Sequence, residues 1–147
     1  MKMNFEKLLL EKKIERVEKT EFDSGSAERD IEFARNGMET GNYNRVMSVV
    51  YEGILRLINR LMNFLGFRSI GKEHHKHSFE FLRISGFDEE LTYYFDNIRK
   101  KRNDFIYRDI ENISKEEAVE ILEKADDFVH KIRTFVHKIR TKEKHGG

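Results

Sequence analysis

Arg102, Asn103 and Tyr107 are the residues whose types and spacing suggest chemistry. They lie in the stretch from Asp88 to Asp109, where apolar side chains recur at Leu91, Tyr94/Phe95, Ile98 and Phe105/Ile106. That is the spacing of a helix with one face turned to a core. The next place on the stripe after Ile98 falls to Arg102. A guanidinium there needs partners or a wet cleft, because burying it alone is expensive. Asn103 and Tyr107 are four residues apart and share a face. A fixed cation, an amide and a phenol suit binding better than proton transfer: an unperturbed tyrosine, with a pKa of about 10, is ionised to only about one part in a thousand at neutral pH. The plain alternative is an arginine that snorkels, its stem on the core and its head in water.

The run His74-His75-Lys76-His77 is the second place where side chains could do chemistry. His74 and His77 are three apart and can share a helical face, and imidazole is the commonest metal ligand. No acidic residue or Cys stands at zinc-like spacing, however, and Lys76 interrupts the run, so no metal site is expected. The cluster reads as the end of a loop, with Ser78 capping a short helix over 79–85. His130 and His137 belong to another helix, and nothing in the sequence places them near Arg102.

The elements that must hold these residues follow from composition and pattern. A chain of 147 residues is one domain, large enough to bury a core without staples. It has no Cys and no Pro, which excludes a disulfide framework and thiolate metal sites and points to a cytoplasmic setting. No apolar run approaches the roughly 18 residues of a membrane span, and the N-terminal residues do not resemble a signal peptide, so no membrane association is expected. Charged residues make up 37% of the chain, yet the formal net charge is +1. Such a mixed surface argues against a dedicated duplex-DNA binder.

Residues 3–19 carry Phe5, Leu8, Leu9, Ile14 and Val17 among many charges, a ragged amphipathic helix expected to act as a docking arm. With the linker Thr20–Gly25 it forms an N-terminal unit, 1–25. Ser26 is expected to cap a helix over 27–39, and Asn42 the next, 43–65, the most hydrophobic element and the expected centre of the fold. Tyr51 and Glu52 lie on it, beside the small Gly53. Asp88 caps the helix that bears Arg102. Ser114-Lys-Glu-Glu117 is a capping box opening the last helix. Its stripe runs Ala118, Ile121, Leu122, Ala125, Phe128/Val129, Ile132, Phe135/Val136, Ile139, and Phe128–Thr134 is repeated identically as Phe135–Thr141. A seven-residue duplication keeps an apolar seam nearly in phase. Its end, Lys131 to Lys144, is basic: it can touch RNA or simply be solvated. The expected fold is all-α: an up-and-down bundle of about four to five principal helices plus short extra helices over 26–141, with a disordered tail over 142–147.

In order and spacing, several pieces resemble the HEPN superfamily, particularly its small stand-alone archaeal and bacterial members. These are Asn4-Phe5-Glu6-Lys7-Leu8-Leu9, Ala27-Glu-Arg-Asp-Ile31, Gly41-Asn-Tyr43 leading to Tyr51, and His77-Ser78. With them come Arg102-Asn-Asp-Phe-Ile-Tyr107, Ser114-Lys-Glu-Glu-Ala118 and Ala125-Asp-Asp-Phe-Val129. The resemblance implies a cleft of Arg99, Arg102, Asn103, Tyr107, Tyr51 and His77. In ribonuclease members a His follows the Arg-Asn pair after three residues, the Arg holding the scissile phosphate and the His handling protons across a dimer cleft. Here that position is Tyr107, so the motif is degenerate. In another register, with Arg99 as the motif arginine, Tyr107 is instead a target for adenylylation by a partner nucleotidyltransferase; the Arg102 register fits better because Asn103 also matches. The implied function is a homodimeric nucleotide-, RNA- or partner-binding module needing no cofactor, paired with a minimal nucleotidyltransferase as in toxin–antitoxin systems. The alternative is a metal-independent endoribonuclease using Arg102 with Tyr107 or another base.

Overall fold

The computed structural model describes residues 3–107 and 112–146 and, of residues 104–107, 145 and 146, the backbone alone. Helix α3 (Tyr43–Leu65) is its centre and packs against α2 (Gly25–Asn36), α4 (His74–Ser85), α5 (Glu89–Tyr107) and α6 (Lys115–Gly146). Val46, Val50, Ile54, Leu57, Ile58, Leu61 and Met62 are all buried, and together they cover too wide an arc for a single partner helix. Asn42 starts α3 by accepting from the Arg45 N–H at 3.2 Å. Gly66 ends it with φ +93°, a left-handed turn that most side chains resist. Gly53 lets α2 approach closely: a Cβ there would sit 3.3 Å from the Ala27 carbonyl oxygen.

The fold is all-α, as expected, with one addition. The docking helix expected over 3–19 does not form. A short α1 (Glu6–Leu10) turns at Lys12, φ 58°, into β1 (Ile14–Arg16), which pairs antiparallel with β2 (Phe67–Ser69) in a segment expected to be loop. Each strand is three residues long, too short for side-chain alternation to reveal. The pairing is made by backbone, extended by Val17 N–H to the Gly66 carbonyl at 2.9 Å and Ile70 N–H to the Lys13 carbonyl at 3.0 Å. Phe5, Leu8 and Ile14 enter the chain's own core, so the first residues belong to the bundle.

Other boundaries also move. α2 begins at Gly25, with Ser24 rather than Ser26 in the N-cap place, and passes into a 3₁₀ turn, Gly37–Thr40. The histidine run is the first turn of α4, not a loop end. Ser78 is buried, within hydrogen-bond reach of the Ser69 hydroxyl at 2.8 Å, the His74 carbonyl at 3.0 Å and Asn59 Oδ1 at 3.1 Å. It ties α4 to β2 and α3 instead of capping. The capping box closes in both directions, Glu117 N–H to Ser114 Oγ at 3.0 Å and Ser114 N–H to Glu117 Oε1 at 3.3 Å. From there α6 continues to Gly146, through the tail expected to be disordered from 142. Nothing in Lys142–His145 breaks a helix; the glycines come only at the end. None of the described helices is long and apolar enough to cross a membrane.

Candidate functional site

Where α3, the first turn of α4 and the middle of α5 meet, the fold concentrates charge on an aromatic floor. Tyr51 and Glu52 are consecutive on α3, so one faces inward and the other lies at the rim. Arg99 and Arg102 are one turn apart on α5 and point the same way. Arg102 Nη2 donates to Glu52 Oε1 at 2.7 Å, and its guanidinium carbon lies 5.2 Å from the centroid of the Tyr51 ring. The side chain is 24% exposed, so this arginine is neither sealed in nor waving in solvent. An ion pair at one edge and a π-face beneath fix the plane of the guanidinium. Among the described residues Glu52 is the side chain that accepts from Arg102, which leaves further donors for an anion.

Arg99 is held in another way. Its Nε donates to Asp96 Oδ1 at 2.7 Å, while Arg83 Nη2 donates to Asp96 Oδ2 at 2.8 Å. The buried carboxylate is thus bonded on both oxygens and keeps Arg99, 12% exposed, beside Arg102.

Tyr51 is 1% exposed, and its hydroxyl has no hydrogen-bond partner among the described residues. Burial pushes the phenol up to about 12, Glu52 and Asp96 acting in the same sense and Arg102 and Arg99 against it. It is therefore a neutral donor at any ordinary pH. The His75 ring lies 6.4 Å from that of Tyr51 and 4.3 Å from that of His74. Burial, then His74, with Arg102 and Arg99 adding to them, draws His75 below the usual histidine value, against the pull of Glu52. At pH 7 it is a neutral imidazole, able to accept a proton.

The residues singled out in the sequence therefore divide. Arg99, Arg102 and Tyr51 come together. Asn103 is exposed, next to Arg102 on the helix. Tyr107 is the last residue of α5, and its side chain lies outside the described residues. His77 turns away, its Nδ1 lying 2.8 Å from the Ile70 carbonyl oxygen, and His75 takes the place beside Tyr51. Glu52, Asp96 and His75 were not identified as site residues. Asp96 carried a signal, an acid three residues before Arg99 on the same helix face. Among the described residues no three His, Asp or Glu side chains converge as a metal ion would require. The corner can hold an anion and present a neutral proton acceptor beside it.

None of the curated proteins or solved structures compared with the chain is significantly similar to it. A family model, that of the HEPN domain, matches residues 24–135, from the start of α2 to the middle of α6 and including every residue of the α3–α4–α5 corner. The match spans well over half of the chain, which therefore belongs to the HEPN domain family.

Proposed function

We propose that this protein is a HEPN binding module whose Arg99/Arg102 corner takes the phosphate of a nucleotide or of RNA. The observation that carries the proposal is the seating of Arg102: one edge tied to Glu52, its face over Tyr51, and the side chain 24% exposed, so that solvent reaches the partly buried fork. A preset guanidinium loses little freedom when it binds a phosphate and offers paired donors of matching geometry. The resemblance supports the wider setting, a homodimer working with a minimal nucleotidyltransferase in a toxin–antitoxin-like pair; that part rests on family analogy alone. Tyr107 stands where a proton-shuttling histidine would be needed, which favours binding over cleavage.

A second reading, a metal-independent endoribonuclease, is favoured by one observation: neutral His75 lies on the Tyr51 side of the corner. In that chemistry the imidazole takes the proton of a 2′-hydroxyl, the 2′-oxygen bonds to phosphorus as the bond from phosphorus to the 5′-oxygen breaks, and the imidazolium returns the proton to that leaving oxygen through water, yielding a 2′,3′-cyclic phosphate.

Calorimetry with ATP, and incubation with single-stranded and structured RNA in EDTA, separate the two. The binding reading expects no cleavage and ATP affinity at least about tenfold weaker in Arg102→Ala, since a hydrogen bond to a charged group contributes about 1.5–3 kcal/mol. Cleavage lost in both Arg102→Ala and His75→Ala would replace it with the second reading. ATP binding and RNA cleavage both untouched by Arg102→Ala would remove the corner from either. Light scattering should give a particle of twice 17.6 kDa.

A further inference from the structure

Arg83 stands on α4 with its side chain 50% exposed, yet it reaches the corner through a buried group. On its own helix the natural partner is Glu80, three residues back on the same face. That carboxylate is taken: Lys13, just ahead of β1, donates to Glu80 Oε2 at 2.8 Å. Arg83 crosses instead to α5, where Asp96 Oδ2 accepts from its Nη2 at 2.8 Å. It also borders a groove with Lys7, Glu11 and Ile84, whose described lining includes none of Tyr51, Arg99 and Arg102.

The sharing of Asp96 between two arginines bears on charge and on geometry. Within the corner, Arg99 and Arg102 are balanced by Asp96 and Glu52, so those four side chains carry no net charge. Arg83, bonded to Asp96, leaves one positive charge in excess. In a partly buried site that surplus is felt more strongly than it would be in water. The geometry works the same way. With Oδ2 engaged by Arg83, Asp96 accepts from Arg99 at Nε, and the Nη groups of Arg99 stay open to a ligand. A carboxylate released from Arg83 could close on Nε and Nη2 together, the bidentate pairing that carboxylates and guanidiniums favour, and half of the Arg99 fork would be lost to the ligand.

We infer that Arg83 is a positioning residue of the corner: by holding Asp96 it leaves the charge and the Nη donors of Arg99 to a bound phosphate. The inference rests on the reading of the corner as a phosphate site. The test is calorimetry with ATP on the full chain. Arg83→Ala should weaken binding about tenfold, the loss expected when a charged donor is withdrawn from the ligand, with helix content unchanged. Adding Asp96→Asn should bring affinity back to within about threefold of the original, a coupling that marks two residues acting as one unit. The amide still accepts from Arg99 Nε but lacks the charge that Arg83 balanced. A residue that only supported the fold, or that touched the phosphate itself, would not be rescued by this second change. ATP binding unaltered in Arg83→Ala while Arg102→Ala weakens it, or a double variant as weak as the single one, would overturn the inference and leave the corner standing. ATP not bound by the unaltered chain, or bound equally well by Arg102→Ala, would remove the binding reading and this inference with it.

Discussion

Tyr51 sets the terms at the scale of single residues, because its hydroxyl is buried without a partner among the described residues. An unsatisfied buried polar atom costs about 1–3 kcal/mol. Tyr51→Phe keeps the ring under Arg102 and removes only that atom. It should therefore stabilise the protein by about 1 kcal/mol, seen as a midpoint a few degrees higher in thermal unfolding. If the hydroxyl serves a ligand, the same variant should bind ATP more weakly despite its greater stability; loss of stability would show that the oxygen is satisfied after all. His75 gives the pH counterpart. Its folded pKa lies below the unfolded value of 6.5, so between the two the unfolded chain binds more protons. Stability should then fall as pH drops through 6.5 towards the lower folded value, and His75→Gln should flatten that slope in urea titrations. An unchanged slope would mean that His75 is solvated.

At the scale of elements, most of what holds the helices in place is written locally. Asn42, Asp88 and the Ser114/Glu117 box cap where the sequence says they should, each carrying its own signal: a short polar side chain just ahead of an apolar stripe. Asp88 Oδ1 accepts from the Leu91 N–H at 2.9 Å and Oδ2 from Lys131 Nζ at 3.0 Å. Burial raises this carboxyl, but the Leu91 N–H and Lys131 together more than offset it and hold it below 3.8. Its contribution is present above that pH and is lost as pH falls through the lower folded value. Asp88→Ala should cost about 1 kcal/mol at pH 7, whereas Asp88→Asn keeps the cap and should remove only this acid-range loss. What was not legible depends on long-range placement. Nothing local says that Glu52 will meet Arg102 fifty residues on, or that α4 begins early enough to bring His75 rather than His77 to Tyr51. The β-ribbon escapes for a similar reason, being paired by backbone. Its hinge, Gly66, can be checked: Gly66→Ala forces φ +93° on an alanine and brings its Cβ to 3.1 Å from Lys19 Cγ. The expected cost is about 1–2 kcal/mol by chemical denaturation.

Across the whole molecule, the decisive contact is the one that ties the first residues to the bundle. Phe5 stacks on Phe81 of α4 at 4.0 Å between planes tilted by 9°, and its ring lies 5.2 Å from that of Phe67 in β2. Phe5 is 7% exposed and Phe81 is fully buried, so the N-terminal segment closes the core at the end of the bundle where α4 and the ribbon meet. A docking arm would leave that cluster to another protein; here the chain supplies its own lid, and α4, which carries His75 to the Arg102 corner, is braced by it. Removing the ring leaves a cavity bounded by Phe67 and Phe81 that a two-stranded ribbon is poorly built to collapse. Phe5→Ala should therefore cost about 3–5 kcal/mol, the range for an aromatic cut from a core, and Leu8→Ala about 2–5 kcal/mol. Because the loss falls on the support of α4, ATP affinity should decline along with stability. A variant that unfolds within about 0.5 kcal/mol of the original would return the segment to the status of an arm, and α4 would then need some other brace.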